Sequence, residues 1–286
     1  MRLIVLLIAF LLANFTNKYL GEASQSLNLF RFICLMAGYI LAQVGVFFLT
    51  AFLLSLPIKT SEEEEYSPFY RFVMKCYIKI CLSLFGVKVN ATGIEKLPKN
   101  EKFVIVSNHL SNFDPLILDI YLKDFPLVFV AKDSLFKIPF FGKMIKKVGY
   151  LSLNRSDVRQ EVKTIKKGVS LLTNEITSVC VYPEGTRNFT DETLLEFKPG
   201  CFNLVTKSKK PLVISYIAHT NDIKNGLLYK KHPVTLKIVK VIEYEEIKDM
   251  NTFEISDMVR NIMLENIESE LKNGDLNDIN INMEEI

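Results

Sequence analysis

Asn108, His109 and Asp114 fall within one short run, Ser107-Asn108-His109-Leu110-Ser111-Asn112-Phe113-Asp114-Pro115. A carboxylate held against one imidazole nitrogen fixes the tautomer and raises the basicity of the other nitrogen, which can then take a proton from an alcohol. Five steps along one continuous helix would set His109 and Asp114 about 140° apart, so contact between them requires the turn that Ser111 and Asn112 favour. A pair of this kind activates a hydroxyl and leaves the nucleophile to come from the substrate. Taken alone, a His near an Asp is more often a local hydrogen bond or a helix cap.

The surrounding elements give the pair its setting. The apolar run 103–106 reads as a buried strand, and Asp114-Pro115 before Leu116, Ile117 and Leu118 reads as an N-cap, a proline at the first helical position and a short helix. His109 is therefore expected in a turn at the carboxyl end of a strand, where open α/β sheets place their ligands. A second constellation, Val179-Cys180-Val181-Tyr182-Pro183-Glu184-Gly185-Thr186-Arg187, again runs from a strand into a turn. Gly185 permits a close approach or a backbone conformation denied to larger residues, and Arg187 offers fixed charge and several donors to a phosphate. Arg155 closes the partly apolar stretch 149–155 and is a second phosphate candidate. Either arginine standing alone would more often be a surface salt bridge.

From residue 88 onward the composition is that of a globular α/β domain. Strands are expected at 103–107, 127–130, 178–182, 212–217 and 234–242, with helices such as 158–173 between them. These lengths predict one domain with a mostly parallel central sheet flanked by helices. There is no internal repeat. Five cysteines, Cys34, Cys76, Cys81, Cys180 and Cys201, are an odd number without metal-ligand spacing, which points to free thiols in a reducing compartment.

The chain begins with its most hydrophobic part. Residues 3–13 are wholly apolar but shorter than the roughly 20 needed to cross a bilayer, whereas 32–56 carries no charge and has only Gln43, Thr50 and Ser55 as polar interruptions. A signal-peptide core or a buried hairpin of a soluble domain is the alternative to an uncleaved pair of membrane helices, which is preferred. Glu62 to Glu65 read as an exposed linker. Residues 70–85 then read as a helix with Arg71, Lys75 and Lys79 on one face, suited to a lipid interface or to packing on the globular domain. Charge is uneven: 125–170 holds ten Lys/Arg against three Asp/Glu, and 265–286 holds one Lys against seven acids. The basic stretch could serve nucleic acid, but its interruption by Phe136, Ile138, Pro139, Phe140 and Phe141 favours a membrane, an acyl chain or a phosphate-bearing substrate, and no nucleic acid is expected. The acidic end is expected to fray into solvent.

With both turns in view, the sequence resembles the glycerolipid acyltransferases, the 1-acyl-sn-glycerol-3-phosphate acyltransferases most of all. The family's Asn-His-x4-Asp block is matched by Asn108, His109 and Asp114; its second block, ending in Arg, by Gly149 to Arg155; its third by Pro183, Glu184, Gly185, Thr186 and Arg187, with Tyr182 in the aromatic place. The Phe-Lys-x-Gly follow-on appears as Phe197, Lys198, Pro199 and Gly200. Pro211-Leu212-Val213 begins the fourth block, with Ile214 where a second proline is common. The match extends over about 91–241.

The resemblance implies acyl transfer from acyl-CoA or an acyl-carrier-protein to the sn-2 hydroxyl of 1-acyl-sn-glycerol-3-phosphate (lysophosphatidate), giving phosphatidate. His109 would be the general base, Asp114 its orienting partner, and Arg155, Glu184, Gly185, Thr186 and Arg187 would surround the acceptor and its phosphate, with Asn108, Lys198, Gly200 and Pro211 supporting. No metal and no cofactor beyond the thioester co-substrate is implied. A Gly-x-Ser-x-Gly elbow is absent, so no acyl-enzyme is expected. The competing readings are an acyltransferase for glycerol-3-phosphate or another lysophospholipid, and a non-catalytic lipid-binding membrane protein. The expected organisation is membrane-associated helices over 1–60, a linker and interfacial helix over 61–87, an acyltransferase domain over 88–264 facing the cytoplasm, and an acidic tail over 265–286.

Overall fold

The computed structural model describes residues 2–20, 25–58, 66–154, 157–224 and 231–272. Its centre is a seven-stranded sheet in the order β1-β7-β6-β2-β5-β3-β4, made of β1 (Val87–Thr92), β2 (Val104–Ser107), β3 (Leu127–Lys132), β4 (Leu151–Leu153), β5 (Ser178–Val181), β6 (Leu212–Ala218) and β7 (His232–Ile242). Every neighbouring pair is parallel except β6 with β7. The strands β2, β5 and β6 are buried along their whole length, as befits central strands covered on both faces, and their apolar runs are what made them readable. Because these three strands are mutually parallel around β2, the turns that follow them open at one edge of the sheet.

The helices are α1 (Arg2–Tyr19), α2 (Gln25–Ser55), α3 (Pro68–Leu84), α4 (Asp114–Tyr121), α5 (Phe141–Lys147), α6 (Val158–Thr173), α7 (Asn203–Ser208), α8 (Tyr244–Ile247) and α9 (Thr252–Lys272). The start of α6 is fixed by Asp157, whose carboxylate accepts the amides of Arg159 and Gln160. On α9, Ile255, Val259, Met263 and Ile267 recur every four residues and are buried. The helix therefore continues past residue 265, where a frayed tail was expected. Its Glu270 carboxylate takes the Lys237 ammonium at 2.6 Å. Residues 273–286, and the acidic run at 62–65, lie outside the described residues.

At the amino end, α1 packs on α2 through Ala9 and Ala13, both fully buried, and an edge-to-face contact of Phe10 with Phe32. The polar interruptions of the apolar run are all engaged: Gln43 Nε2 donates to the Val5 and Tyr39 carbonyls, Thr50 shares a hydroxyl hydrogen bond with Tyr77 at 2.7 Å, and Ser55 donates to Phe52. Residues 28–55 form a helix long and apolar enough to cross a membrane by length and composition, and none of its most apolar stretch is buried in the protein. Leu6, Phe15, Leu29, Leu41 and Phe48 are exposed, a surface that hydrocarbon accommodates and water does not.

Helix α3 resolves its basic stripe differently at each residue. Arg71 does not face outward: it is buried, with Nη2 on Asp119 Oδ1 at 2.6 Å, Nη1 on the Leu127 carbonyl at 2.5 Å and its guanidinium 5.9 Å from the Tyr66 ring. Met74, Ile78 and Leu82 are buried on the same side, so α3 packs on the domain, while Phe69 and Phe72 stay exposed. The Asp119 carboxyl sits above its ordinary range because burial pushes it up by more than the nearby Arg71 and Lys75 pull it down. Removing one member of a buried ion pair leaves the other uncompensated. Arg71→Met is therefore expected to cost about 3 to 5 kcal/mol, seen as a lower midpoint of thermal unfolding in detergent. Arg71→Met with Asp119→Leu should recover most of that loss, whereas a single variant as stable as the parent would show that the pair does not hold α3.

Candidate active site

The turn after β2 brings His109 and Asp114 together, with Nδ1 of His109 2.7 Å from Oδ2 of Asp114. The same Oδ2 accepts the amides of Leu110 at 2.7 Å and Ser111 at 2.8 Å, and Oδ1 accepts the Thr220 hydroxyl at 2.5 Å. Asp114 does not cap α4, contrary to the sequence expectation. Phe113 holds the cap position, Asp114 is the first helical residue, and its carboxylate turns back on the residues before it. Its other three partners are donors, as suits a carboxylate, and such a group accepts a hydrogen bond from Nδ1 in the imidazole tautomer whose Nε2 bears the lone pair. The Asp114 side chain is wholly buried while the His109 side chain keeps 18% of its surface exposed, so the imidazole is open to a substrate and its partner is not.

The loop after β5 is fastened to the His109 backbone. Glu184 Oε1 accepts the His109 amide at 2.7 Å, and the Asn188 amide donates to the His109 carbonyl at 2.7 Å. Glu184 Oε2 accepts the Leu195 amide at 3.0 Å. Both carboxylate oxygens of Glu184 are thus committed to the main chain. Burial pushes the Glu184 carboxyl up, against the pull of those two amides. The Tyr182 ring lies over the imidazole at 4.1 Å and 18°. Gly185 makes the turn at φ 72°, in the left-handed region, and donates to the Tyr182 carbonyl. Thr186 is exposed, and the Arg187 guanidinium sits 4.9 Å over the Phe189 ring. Among the described residues no carboxylate pairs with Arg187, so its charge is open to an anion.

Asn108 is buried and grips β6 through both atoms of its amide, donating to the Ile217 carbonyl at 2.9 Å and accepting the Ile217 amide at 2.8 Å. Lys198 is joined by its backbone to the loop after β5, and Gly200 follows in the next turn. The Lys198 amide donates to the Pro183 carbonyl, its exposed ammonium lies 3.8 Å from Glu196, and Gly200 sits in the 3-10 turn Pro199–Phe202. Pro211 is not brought to the site: it precedes β6 at the opposite end of the sheet, where its carbonyl accepts the Val104 amide. Arg155 lies outside the described residues. Thr220, Asn188 and the amide of Leu195 had no signal in the sequence, since each reaches its partner only through the fold.

Two thiols of the domain are held in their protonated form by burial. Cys180 is fully buried in β5, where burial pushes its thiol far above the ordinary range, and the Cys201 thiol is pushed up to about 12 by the same cause. Among the described residues no group of three or more His, Cys, Asp or Glu could hold a metal ion.

A family model described as Acyltransferase matches residues 88–218. The 1-acyl-sn-glycerol-3-phosphate acyltransferase of Borreliella burgdorferi is 33% identical over 183 residues, spanning 61% of this chain and 72% of that one. A probable 1-acyl-sn-glycerol-3-phosphate acyltransferase of Mycoplasma pneumoniae is 33% identical over 192 residues, 64% of this chain and 69% of its own. Among solved structures, the crystal structure of the 1-acyl-sn-glycerophosphate acyltransferase from Thermotoga maritima superposes with a TM-score of 0.59 at 24% identity, over 71% of this chain and 79% of that one, a likeness of fold.

The double commitment of Glu184 has a measurable consequence. In Glu184→Gln one oxygen is replaced by an amide group that cannot accept a hydrogen bond, so either His109 or Leu195 loses its partner. Thermal unfolding is expected to show a loss of about 1 to 3 kcal/mol, the penalty of an unsatisfied buried donor. A variant unfolding at the parental temperature would mean that the two amide contacts do not bear on stability.

Proposed function

This chain belongs to the acyltransferase family, and we propose that it transfers a fatty acyl group from a thioester of CoA or acyl-carrier-protein to the sn-2 hydroxyl of 1-acyl-sn-glycerol-3-phosphate. The observation that carries the reading is the 2.7 Å contact of His109 Nδ1 with a buried Asp114, in a turn whose backbone is held by the loop that bears Arg187. The relatives named above act on this acceptor by their descriptions. An ordinary hydroxyl is a poor nucleophile near neutral pH, whereas a thioester is already activated and its thiol leaves readily, so one positioned base suffices.

In the proposed reaction, Nε2 of His109 removes the proton of the acceptor hydroxyl as its oxygen attacks the thioester carbonyl. The tetrahedral intermediate then collapses, the carbon–sulfur bond breaks, and the departing sulfur takes the proton from the imidazolium. Asp114 keeps the imidazole in the required tautomer and favours its transient charge. Arg187 takes the acceptor's phosphomonoester, for which a guanidinium fork is well shaped, and Arg155 is proposed beside it from the family pattern alone. The apolar helices α1 and α2 seat the domain on the membrane that holds both lipid substrate and lipid product. The domain faces the cytoplasm in this reading, the side on which its thioester donors are made.

His109→Ala is expected to abolish transfer to lysophosphatidate in purified protein that still folds and still fractionates with membranes; substantial residual transfer would remove the base assignment. Arg187→Lys keeps the charge but loses the planar fork. It should lower kcat/KM for lysophosphatidate by about tenfold or more, the size of a charge-assisted hydrogen bond, and lower it less for an acceptor without a terminal phosphomonoester. Equal losses for the two acceptors would move Arg187 out of phosphate recognition. The protein should stay with membranes after high-salt washing, and protease should reach residues 88–272 from the cytoplasmic side; protection from that side would reverse the proposed orientation.

A further inference from the structure

We propose that Thr220 is a positioning residue for the dyad, setting the plane of the Asp114 carboxylate through its hydroxyl, an inference that rests on the reading of His109 as the base. Thr220 and Asp114 are both wholly buried, and the Thr220 hydroxyl lies 2.5 Å from Asp114 Oδ1.

The other three contacts of Asp114, from His109, Leu110 and Ser111, all converge on Oδ2 and all come from its own turn. The Cβ–Cγ torsion of a carboxylate has broad minima, so its setting depends on the donors around both oxygens. The Thr220 hydroxyl holds the second oxygen from the segment just after β6, 106 residues away in sequence, and so opposes rotation of the carboxylate from outside its own turn.

The backbone is shaped to deliver that hydroxyl. Residue 219, directly after β6, is a histidine at φ 65°, a left-handed conformation disfavoured for any residue with a Cβ. Left-handed backbone at a non-glycine persists where the surrounding structure demands it. Here it turns the chain so that the next side chain enters the buried space beside Asp114. Two residues earlier, the paired hydrogen bonds of Asn108 with Ile217 lock the register of β6 against the same turn. The turn of the dyad is thus stitched to the end of β6 at both of its ends, through Asn108 and through Asp114.

The test compares Thr220→Val, which keeps shape and removes the hydroxyl, with Thr220→Ser, which keeps the hydroxyl. Both are assayed for kcat, for KM of acceptor and thioester, and for thermal midpoint, beside the parent and His109→Ala. Thr220→Val should lower kcat per folded molecule by about 10- to 100-fold, the size of one charge-assisted hydrogen bond, with both KM values within about twofold of the parent. Thr220→Ser should return kcat to within a few-fold of the parent. Should the valine variant fail to fold, Thr220→Ala against Thr220→Ser gives the same ratio. Parental kcat in Thr220→Val while His109→Ala is inactive would overturn the inference and leave the base assignment standing. Equal losses in the valine and serine variants would overturn it by showing that shape matters and the hydroxyl does not. Transfer surviving in His109→Ala would overturn the reading of the base, and the inference with it.

Discussion

A carboxylate removed from water must recover its lost hydration from the protein, at a cost of several kcal/mol if it does not. Asp114 recovers it from four donors: an imidazole, two amides and a hydroxyl. Each donor constrains a different part of the chain. The two amides require the 109–111 backbone to curl around the carboxylate. The imidazole must lie on the same side of that curl, and the hydroxyl requires β6 to end in register with β2, where Ser107 pairs with Ser215 and the next residues close on Asn108. A shift of one residue between these strands would turn the facing side chains to the other side of the sheet and leave the charge bare.

The same economy governs the loop after β5. It meets His109 at three places, amide, carbonyl and ring face, through Glu184, Asn188 and Tyr182, and Gly185 folds the loop back on Tyr182. The imidazole is consequently fixed in its plane by Asp114, across its face by Tyr182 and at its root by the main chain. Such rigidity removes the reorganisation that a free imidazole would undergo on taking a proton, which is where a positioned base gains over one in solution. Arg187 adjoins Asn188, so the hydrogen bond that anchors His109 also limits how far the guanidinium can stand from it.

What the sequence disclosed and what it withheld divide along locality. The dyad was legible because its partners lie five residues apart in a stretch rich in turn formers. The strands β2, β5 and β6 were legible as apolar runs, and α6 matched its expected bounds of 158–173. The edge strand β1 was missed because Val87, Val89 and Ala91 alternate with Lys88, Asn90 and Thr92 on a half-solvated edge, and β4, three residues long, showed only as a strand-like stretch before Arg155. Strand β7 begins two residues before its expected start, at a buried histidine. The basic stripe of α3 showed where Arg71, Lys75 and Lys79 point relative to one another; it could not show that Asp119 waits opposite Arg71. Thr220 is the extreme case, joined to Asp114 only once β2 and β6 are in register.

Helix α3 links the apolar helices to the segment that carries the dyad. On α2, Thr50 hydrogen-bonds Tyr77 of α3, Phe47 meets the same tyrosine edge-on at 4.7 Å, and Phe52 meets Phe140 at the start of α5. The contact with Phe140 gives one of the aromatic residues that interrupt the basic stretch after β3 a partner on the apolar helix. At the far end of α3, Phe85 packs edge-on against Phe113 at 5.1 Å, and Phe113 immediately precedes Asp114. Halfway along, Arg71 ties α3 to α4 through Asp119, and α4 is the helix that Asp114 begins. Helix α3 therefore touches both ends of the short segment that carries the carboxylate while its other face holds the apolar helix. A single helix in contact with both the apolar helix α2 and the segment that carries Asp114 couples the position of that segment to the position of α2.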